Sequence, residues 1–208
     1  DRLEEVDLEF IEEDSNKLFT SMQNGSERIR DIIKSLRSFS RLDEADKKAV
    51  NIHQGIEDSL LILGHKLSDI EIEKNYGDLP KVECFASEIN QVFLNVLSNA
   101  VDAIQEAEEP GTITITTHYS DANESKPDGI TIDIKDTGVG IDEAIKDKIF
   151  NPFFTTKAVG AGTGLGLAIS YQILHRHQGE ITIDSVSGEG THVHIFIPLT
   201  TAKLTTAS

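Results

Sequence analysis

The chain has 208 residues, enough for one sizeable core or for one core and an appendage. Its 36 acidic and 19 basic residues leave a formal net charge of −17, which argues against non-specific nucleic-acid binding, because that rests on Lys and Arg neutralising phosphates. A single cysteine, Cys84, excludes an intrachain disulfide framework, and no apolar run approaches the roughly 18 residues that span a bilayer.

The first forty-odd residues read as one long amphipathic helix. Apolar residues recur at Leu3, Val6, Phe10, Leu18, Met22, Ile29, Ile32, Ile33, Leu36 and Phe39, in steps of three and four. Gly25 interrupts the pattern at about 1 kcal/mol relative to Ala. Acids dominate the front of the segment, and Arg28, Arg30, Lys34, Arg37 and Arg41 the back, as the helix dipole prefers. A lone helix of this length cannot bury its own stripe and needs a partner.

The pattern changes after LDEADKK, which places a boundary near Asp46 to Ala49. EIEKNY alternates as a strand. SEINQVFLNVLSNAVDAIQEAEE is helical, GTITITTHYS and GITIDIKDT are strands, and IDEAIKDKIF is a short helix. A glycine-rich loop leads into the helix LGLAISYQILHRHQ, and GEITIDSVS and THVHIFIPL close the pattern as strands. With hairpin-like pairs at 111–137 and 179–199, the elements predict an α+β fold, a two-layer sandwich with a mixed sheet covered on one face by helices. The tail 201–208 is expected to fray. The acidic start is unlike a signal peptide, so the reading is a cytoplasmic chain, with a membrane-anchored parent left open.

Four stretches carry chemistry. In GITIDIKDTGVGI, alternation puts Ile130, Ile132, Ile134 and Asp136 on one strand face, with Thr131, Asp133 and Lys135 facing solvent. Asp136 then ends an apolar row just before Gly138 and Gly140. It is placed either to accept the amino group of a purine or to close its own turn onto backbone N–H groups. On the helix 88–106, Asn95, Asn99 and Asp102 fall within about 60° of one another along the border of the apolar face. Such a row of oxygens either suits Mg²⁺ or is merely solvated.

In the loop, Gly160, Gly162, Gly164 and Gly166 alternate with other residues, and Lys157 and Thr163 are the polar side chains on offer. It is neither a Walker A sequence nor a dinucleotide-binding G-x-G-x-x-G after a strand. The fourth stretch, SGEGTHVHIF, puts Gly188 and Gly190 in a turn and Thr191 at the start of the last strand. His192 and His194 share a strand face and read as solvent-facing residues rather than metal ligands. His175 and His177, two apart on a helix, do not face each other. Cys84 reads as structural filler.

Together and in this order, the stretches resemble sensor histidine kinases. NVLSNAVDA is similar to the N box, DTGVGI to the G1 box, NPFFTTK to the F box, GTGLGLAIS to the G2 box and GEGTHVHIFIP to the G3 box. The resemblance spans about 85–199, and that family shares its ATP-binding fold with gyrase, related heat-shock chaperones and mismatch-repair ATPases. It implies that Asp136 reads the adenine amino group with Thr191 nearby, and that Asn99 ligates Mg²⁺. Gly162, Thr163, Gly164, Leu165 and Gly166 would form the mobile end of a lid packed by Phe153 and Phe154, and Ala103, Gly138, Gly140 and Ile141 complete the ATP-binding set. Where hydrolases of the superfamily place a glutamate base, this chain has Asn95, and an amide takes no proton. Phosphoryl transfer is therefore favoured over hydrolysis. Asp102 departs from the basic residue many such kinases carry there, which leaves Lys157 as the side-chain charge for the phosphates.

The resemblance further implies three segments. Residues 1–46 would be the second helix of a dimerisation hairpin, making the parent a homodimer through 1–41; residues 47–200 would be the ATP-binding catalytic domain, and 201–208 a tail. None of the seven histidines lies on 1–41 or precedes an acid, so the expectation is a fragment that begins after the phosphoacceptor histidine. The phosphoryl group would pass from that histidine to an aspartate on a response regulator. The alternatives are an ATPase or serine/threonine kinase of the same fold, and a nucleotide-sensing binding module.

Overall fold

The computed structural model describes residues 46–122, 127–157 and 162–199, together with Ser15, Leu18, Phe19 and Met22. Apart from those four residues, the expected helix over 1–41 lies outside the described residues, as do the tail 201–208 and the loop tip 158–161.

The element order is β1 (Lys48–Val50), α1 (Ile52–Leu63), β2 (Ile70–Tyr76), β3 (Val82–Cys84), α2 (Ala86–Ala107), β4 (Gly111–Ser120), β5 (Gly129–Asp136), α3 (Gly166–Arg176), β6 (Glu180–Val186) and β7 (Gly190–Pro198). Five strands form a mixed sheet in the order β2-β4-β5-β7-β6. β2 lies parallel to β4, and the other neighbours are antiparallel. β1 and β3 make a separate antiparallel pair.

Strand alternation sorts the sheet into two faces. Ile113, Ile115, Ile130, Ile132, Ile134, Val193 and Ile195 are buried. They meet the broad apolar stripe of α2, where Ile89, Val92, Phe93, Val96, Leu97 and Ile104 are also buried. α2 packs between α1 and α3, so it is the central member of the helical layer. At its start, Arg176 pairs with Glu88 and stands 4.4 Å over the Phe85 ring, and the buried His177 accepts the Phe85 N–H through Nε2 at 3.2 Å. The end of α3 is thereby fastened to the beginning of α2. The opposite face of the sheet carries the polar residues of each strand. No helix among the described residues is long and apolar enough to cross a membrane.

Three local features differ from the sequence reading. The helix expected over 141–150 is a short 3₁₀ helix, Glu143–Lys148, started by Asp142 Oδ1 accepting the Ala144 N–H at 2.8 Å. It buries no residue that could sustain a longer helix. α1 was not anticipated, although Asn51 caps it and Ile52, Ile56, Leu60 and Leu63 follow a helical period into the core. β1 and β3 have three residues each, too few for alternation to register.

Candidate functional site

The end of β5 carries the first part of the site. Alternation that buries Ile130, Ile132 and Ile134 also buries Asp136, which is 4% exposed. Its Oδ1 accepts from the N–H of Gly138 at 2.8 Å and of Thr191 at 3.3 Å. Burial pushes the carboxyl above the usual aspartate range, and the two backbone bonds pull it partly back. The turn-closing reading of Asp136 is met by one oxygen. Oδ1 closes the turn, while Oδ2 accepts no hydrogen bond among the described residues.

The turn that follows is pressed against α2. Val139 donates its N–H to the Ala103 carbonyl at 3.2 Å. A Cβ on Gly138 would lie 2.5 Å from the Ala103 carbonyl carbon, so only glycine allows this approach. Gly140 lies against the Val186 carbonyl, and Ile141 donates its N–H to Ser185 Oγ at 2.9 Å. Ser185 gives its proton to the Gly190 carbonyl at 2.8 Å, so Thr191 is the donor in the 3.1 Å contact between the two hydroxyls. Thr191 then presents only lone pairs to anything in the site. The sequence reading missed Ser185, whose role follows from its pairing opposite Thr191 in the β6–β7 register.

The border of α2 supplies the second part. Asn95 donates through Nδ2 to the Gly166 carbonyl at 2.9 Å and to Ser170 Oγ at 3.2 Å, and Oδ1 accepts from Gln91 at 2.8 Å. Asp102 pairs with Lys157 at 2.5 Å and with Lys66 at 3.6 Å. Ala103 holds the turn just described. Asn99 lies between these attachments and bonds to no described residue, leaving its amide open beside the turn and the loop. Lys66 is a second base at this border that the sequence reading did not place there.

The loop is pinned at both described ends. Phe153 donates its N–H to the Gly164 carbonyl at 2.8 Å. Gly164 takes φ +65°, and a Cβ there would strike the Phe153 backbone. Phe153 itself has φ +67°, a rare value for a bulky side chain, and its ring is 71% exposed. The backbone of Phe153 therefore holds the base of this loop. Gly162 sits against Thr155 and Lys157, and Thr163 Oγ1 accepts the Leu165 N–H at 3.4 Å. α3 begins at Gly166 with no side-chain cap, so its first N–H groups remain available.

The family described as "Histidine kinase-, DNA gyrase B-, and HSP90-like ATPase" matches residues 86–201. The chain is 34% identical over 191 residues to the sensor kinase CckA of Brucella abortus, covering 86% of this chain and 20% of that protein. It is 36% identical over 175 residues to the signal transduction histidine-protein kinase AtoS of Escherichia coli, covering 82% of this chain and 27% of that one. Among solved structures, a mycobacterial sensor histidine kinase, MprB, matches with a TM-score of 0.62 at 28% identity, over 73% of this chain and 97% of that chain. The fold is that of the ATP-binding catalytic domain of histidine kinases. The chain belongs to the histidine kinase-, DNA gyrase B- and HSP90-like ATPase family. It spans about a fifth to a quarter of the length of the two curated relatives.

Proposed function

We propose that this chain is the ATP-binding catalytic part of a two-component sensor histidine kinase. It would bind ATP with Mg²⁺ and deliver the γ-phosphoryl group to a histidine, for relay to an aspartate of a response-regulator receiver domain. The observation that carries the reading is the division of labour at Asp136, where one oxygen is held by two backbone N–H groups and the other is free. A rigidly held, buried acceptor at the end of an apolar row suits the amino group of adenine. The turn at Gly138, pressed against the Ala103 backbone, keeps that acceptor fixed in position.

The phosphate tail would run along the α2 border toward the start of α3. An acidic chain must neutralise a polyphosphate locally, and the uncapped N–H groups from Gly166 onward are suited to that. Lys157, which lies against Gly162 and is tied to Asp102, would add a side-chain charge. Asn99 fits Mg²⁺, because its amide oxygen is a hard ligand without a partner, and such sites combine one or two protein oxygens with phosphates and water. When bound there, Mg²⁺ would neutralise charge developing on the phosphate oxygens. The residues would otherwise act by positioning. Asp136 and Thr191 orient the base, and Gly162, Thr163, Gly164, Leu165 and Gly166 close over the tail and shield it from water.

Asn95 supports transfer rather than hydrolysis. Its three hydrogen bonds tie α2 to itself or to α3, and the group offers no carboxylate to take a proton from water. In the transfer, an imidazole nitrogen forms a bond to the γ-phosphorus as the bond to the β-phosphate oxygen breaks, and ADP leaves. None of the seven histidines lies on 1–41 or precedes an acid, so we place the acceptor on another polypeptide segment. Residues 1–41 would form the second helix of a hairpin that makes the parent a homodimer.

Titration with a fluorescent ATP analogue in the presence of Mg²⁺ tests the site. Binding should be measurable in the unaltered chain and weakened about a hundredfold or more in Asp136→Asn, where a donor replaces the free acceptor. Equal affinity in the two proteins removes the proposal. Addition of an acceptor helix carrying a histidine should give an acid-labile phosphoryl label, whereas phosphate release without an acceptor would favour an ATPase.

A further inference from the structure

The sheet face left open by the described residues gathers imidazoles around one carboxylate. Asp133 lies on β5 directly opposite His194 of β7, and His192 is the next residue on the same face of β7. His194 Nδ1 is 2.5 Å from Asp133 Oδ1, and His192 Nε2 is 3.4 Å from that same oxygen. Side chains two residues apart on a strand start roughly 6.5 Å apart. The two imidazole rings nevertheless converge to a centroid separation of 3.8 Å. Both lean toward Asp133, whose side chain is only 17% exposed despite lying on the polar face.

The arrangement extends outward on either side. His194 Nε2 is 3.1 Å from Asp184 Oδ2 on β6, and His118 Nδ1 of β4 is 3.8 Å from Asp133 Oδ2. Four strands therefore contribute nitrogen or carboxylate groups to one spot, and the nucleotide reading uses none of them. The ligand atoms of Asp133, His192 and His194 all lie within 4.8 Å of one another. Around a tetrahedral ion with bonds near 2.1 Å, ligand atoms stand about 3.4 Å apart, so small rotations suffice to close the set.

We propose that Asp133, His192 and His194 bind one zinc-class divalent cation on the open face of the sheet. Two imidazoles and a carboxylate suit Zn²⁺, Co²⁺ or Ni²⁺ and discriminate against Mg²⁺, which prefers oxygen ligands. His194 would bind through Nδ1 while its Nε2–H donates to Asp184, the carboxylate–histidine–metal relay that fixes tautomer and ring orientation. His118 stands within reach of the open coordination position. Lys135, also facing this cluster from β5, opposes a bound cation, whereas Asp184 favours it.

Isothermal titration of the EDTA-treated full chain with ZnCl₂ tests the assignment. One equivalent should bind in the unaltered chain, and the affinity should fall about tenfold or more in His194→Ala and in Asp133→Ala. His175→Ala, on the exposed side of α3, controls for surface histidines and should titrate as the unaltered chain does. If an alanine variant fails to fold by circular dichroism, His192→Gln and His194→Gln replace it and should show the same loss. Co²⁺ should give the visible absorption of a tetrahedral site, which disappears on adding Zn²⁺. Stoichiometry and affinity that survive these substitutions, or no uptake beyond that of a His192→Gln/His194→Gln double variant, overturn the proposal. Asp136→Asn should take up Zn²⁺ normally, so the outcome is independent of the nucleotide reading.

Discussion

Asp133 and Asp136 stand three residues apart on one strand, and the odd spacing sends them to opposite faces of the sheet. Asp136 is enclosed, its fixed oxygen held by backbone N–H groups alone, with the carboxyl raised by burial. Asp133 lies on the face that no described helix covers, and imidazoles crowd it. The two acids share a residue type and a strand, yet one environment suits a neutral hydrogen-bond donor and the other a cation. Strand parity, with α2 covering one face only, makes that difference.

The sharpest test exchanges the two readouts. Asp136→Asn should weaken nucleotide binding about a hundredfold or more and leave zinc uptake intact. Asp133→Asn should do the reverse, with nucleotide affinity within about twofold of the unaltered chain, as distant sites usually behave independently. Loss of both functions from either change would mean that the faces are coupled and the comparison is wrong. Gly138→Ala comes next, because a Cβ would strike the Ala103 backbone rather than a movable side chain. Overpacking of this kind costs about 1–3 kcal/mol, or a melting point lower by about 3–10 °C. Differential scanning fluorimetry should show that drop, and zinc uptake by the folded variant should persist.

Much of the helical layer and most of the large sheet were legible in the chain. The strands at 111–120, 129–136, 180–186 and 190–198 each carry period-two alternation over seven residues or more. The burial of Asp136 followed from the same count. Ser185 was not legible, because its role depends on the β6–β7 register placing it across from Thr191. The imidazole cluster failed for a similar reason. His192 and His194 could be placed on one face of a strand, but bringing Asp133 between them requires the pairing of β5 with β7, which lie far apart in sequence. The positive φ of Phe153 was not legible either, because such a value is rare for phenylalanine.

Histidines repeat the contrast between the two faces at smaller amplitude. His177 is buried in the helical layer, with Nδ1 donating to the Ile173 carbonyl at 2.7 Å and Nε2 accepting from Phe85. Burial holds its pKa below the ordinary value of 6.5, with Lys47 and Arg176 adding to the shift and the Ile173 bond opposing it. The unfolded chain therefore binds this proton more readily than the folded one. The stabilisation is complete above about pH 6.5 and is lost as pH falls from there through the lowered folded-state value. Urea midpoints at pH 7.5 and 5.5 should show this loss, and His177→Gln should flatten that part of the slope. An unchanged slope would place the titration elsewhere, for example at His192 on the open face.

The smallest expected effect lies where α2 meets the start of α3. Asn95→Ala removes the two bonds to Gly166 and Ser170, but Ser170 keeps its own bond to the Gly166 carbonyl at 2.9 Å. The helix start therefore retains one tie, and the cost should be about 1 kcal/mol, near 2–4 °C in melting temperature. If Asn95 acts only by holding α3, its replacement should weaken nucleotide binding a few-fold while leaving transfer from bound ATP nearly unchanged. A loss of transfer from saturating ATP, with binding and stability preserved, would instead move Asn95 from positioning to contact with the reacting phosphate. The two outcomes separate cleanly because the helix start can be monitored by stability and the chemistry by single-turnover labelling of an added acceptor.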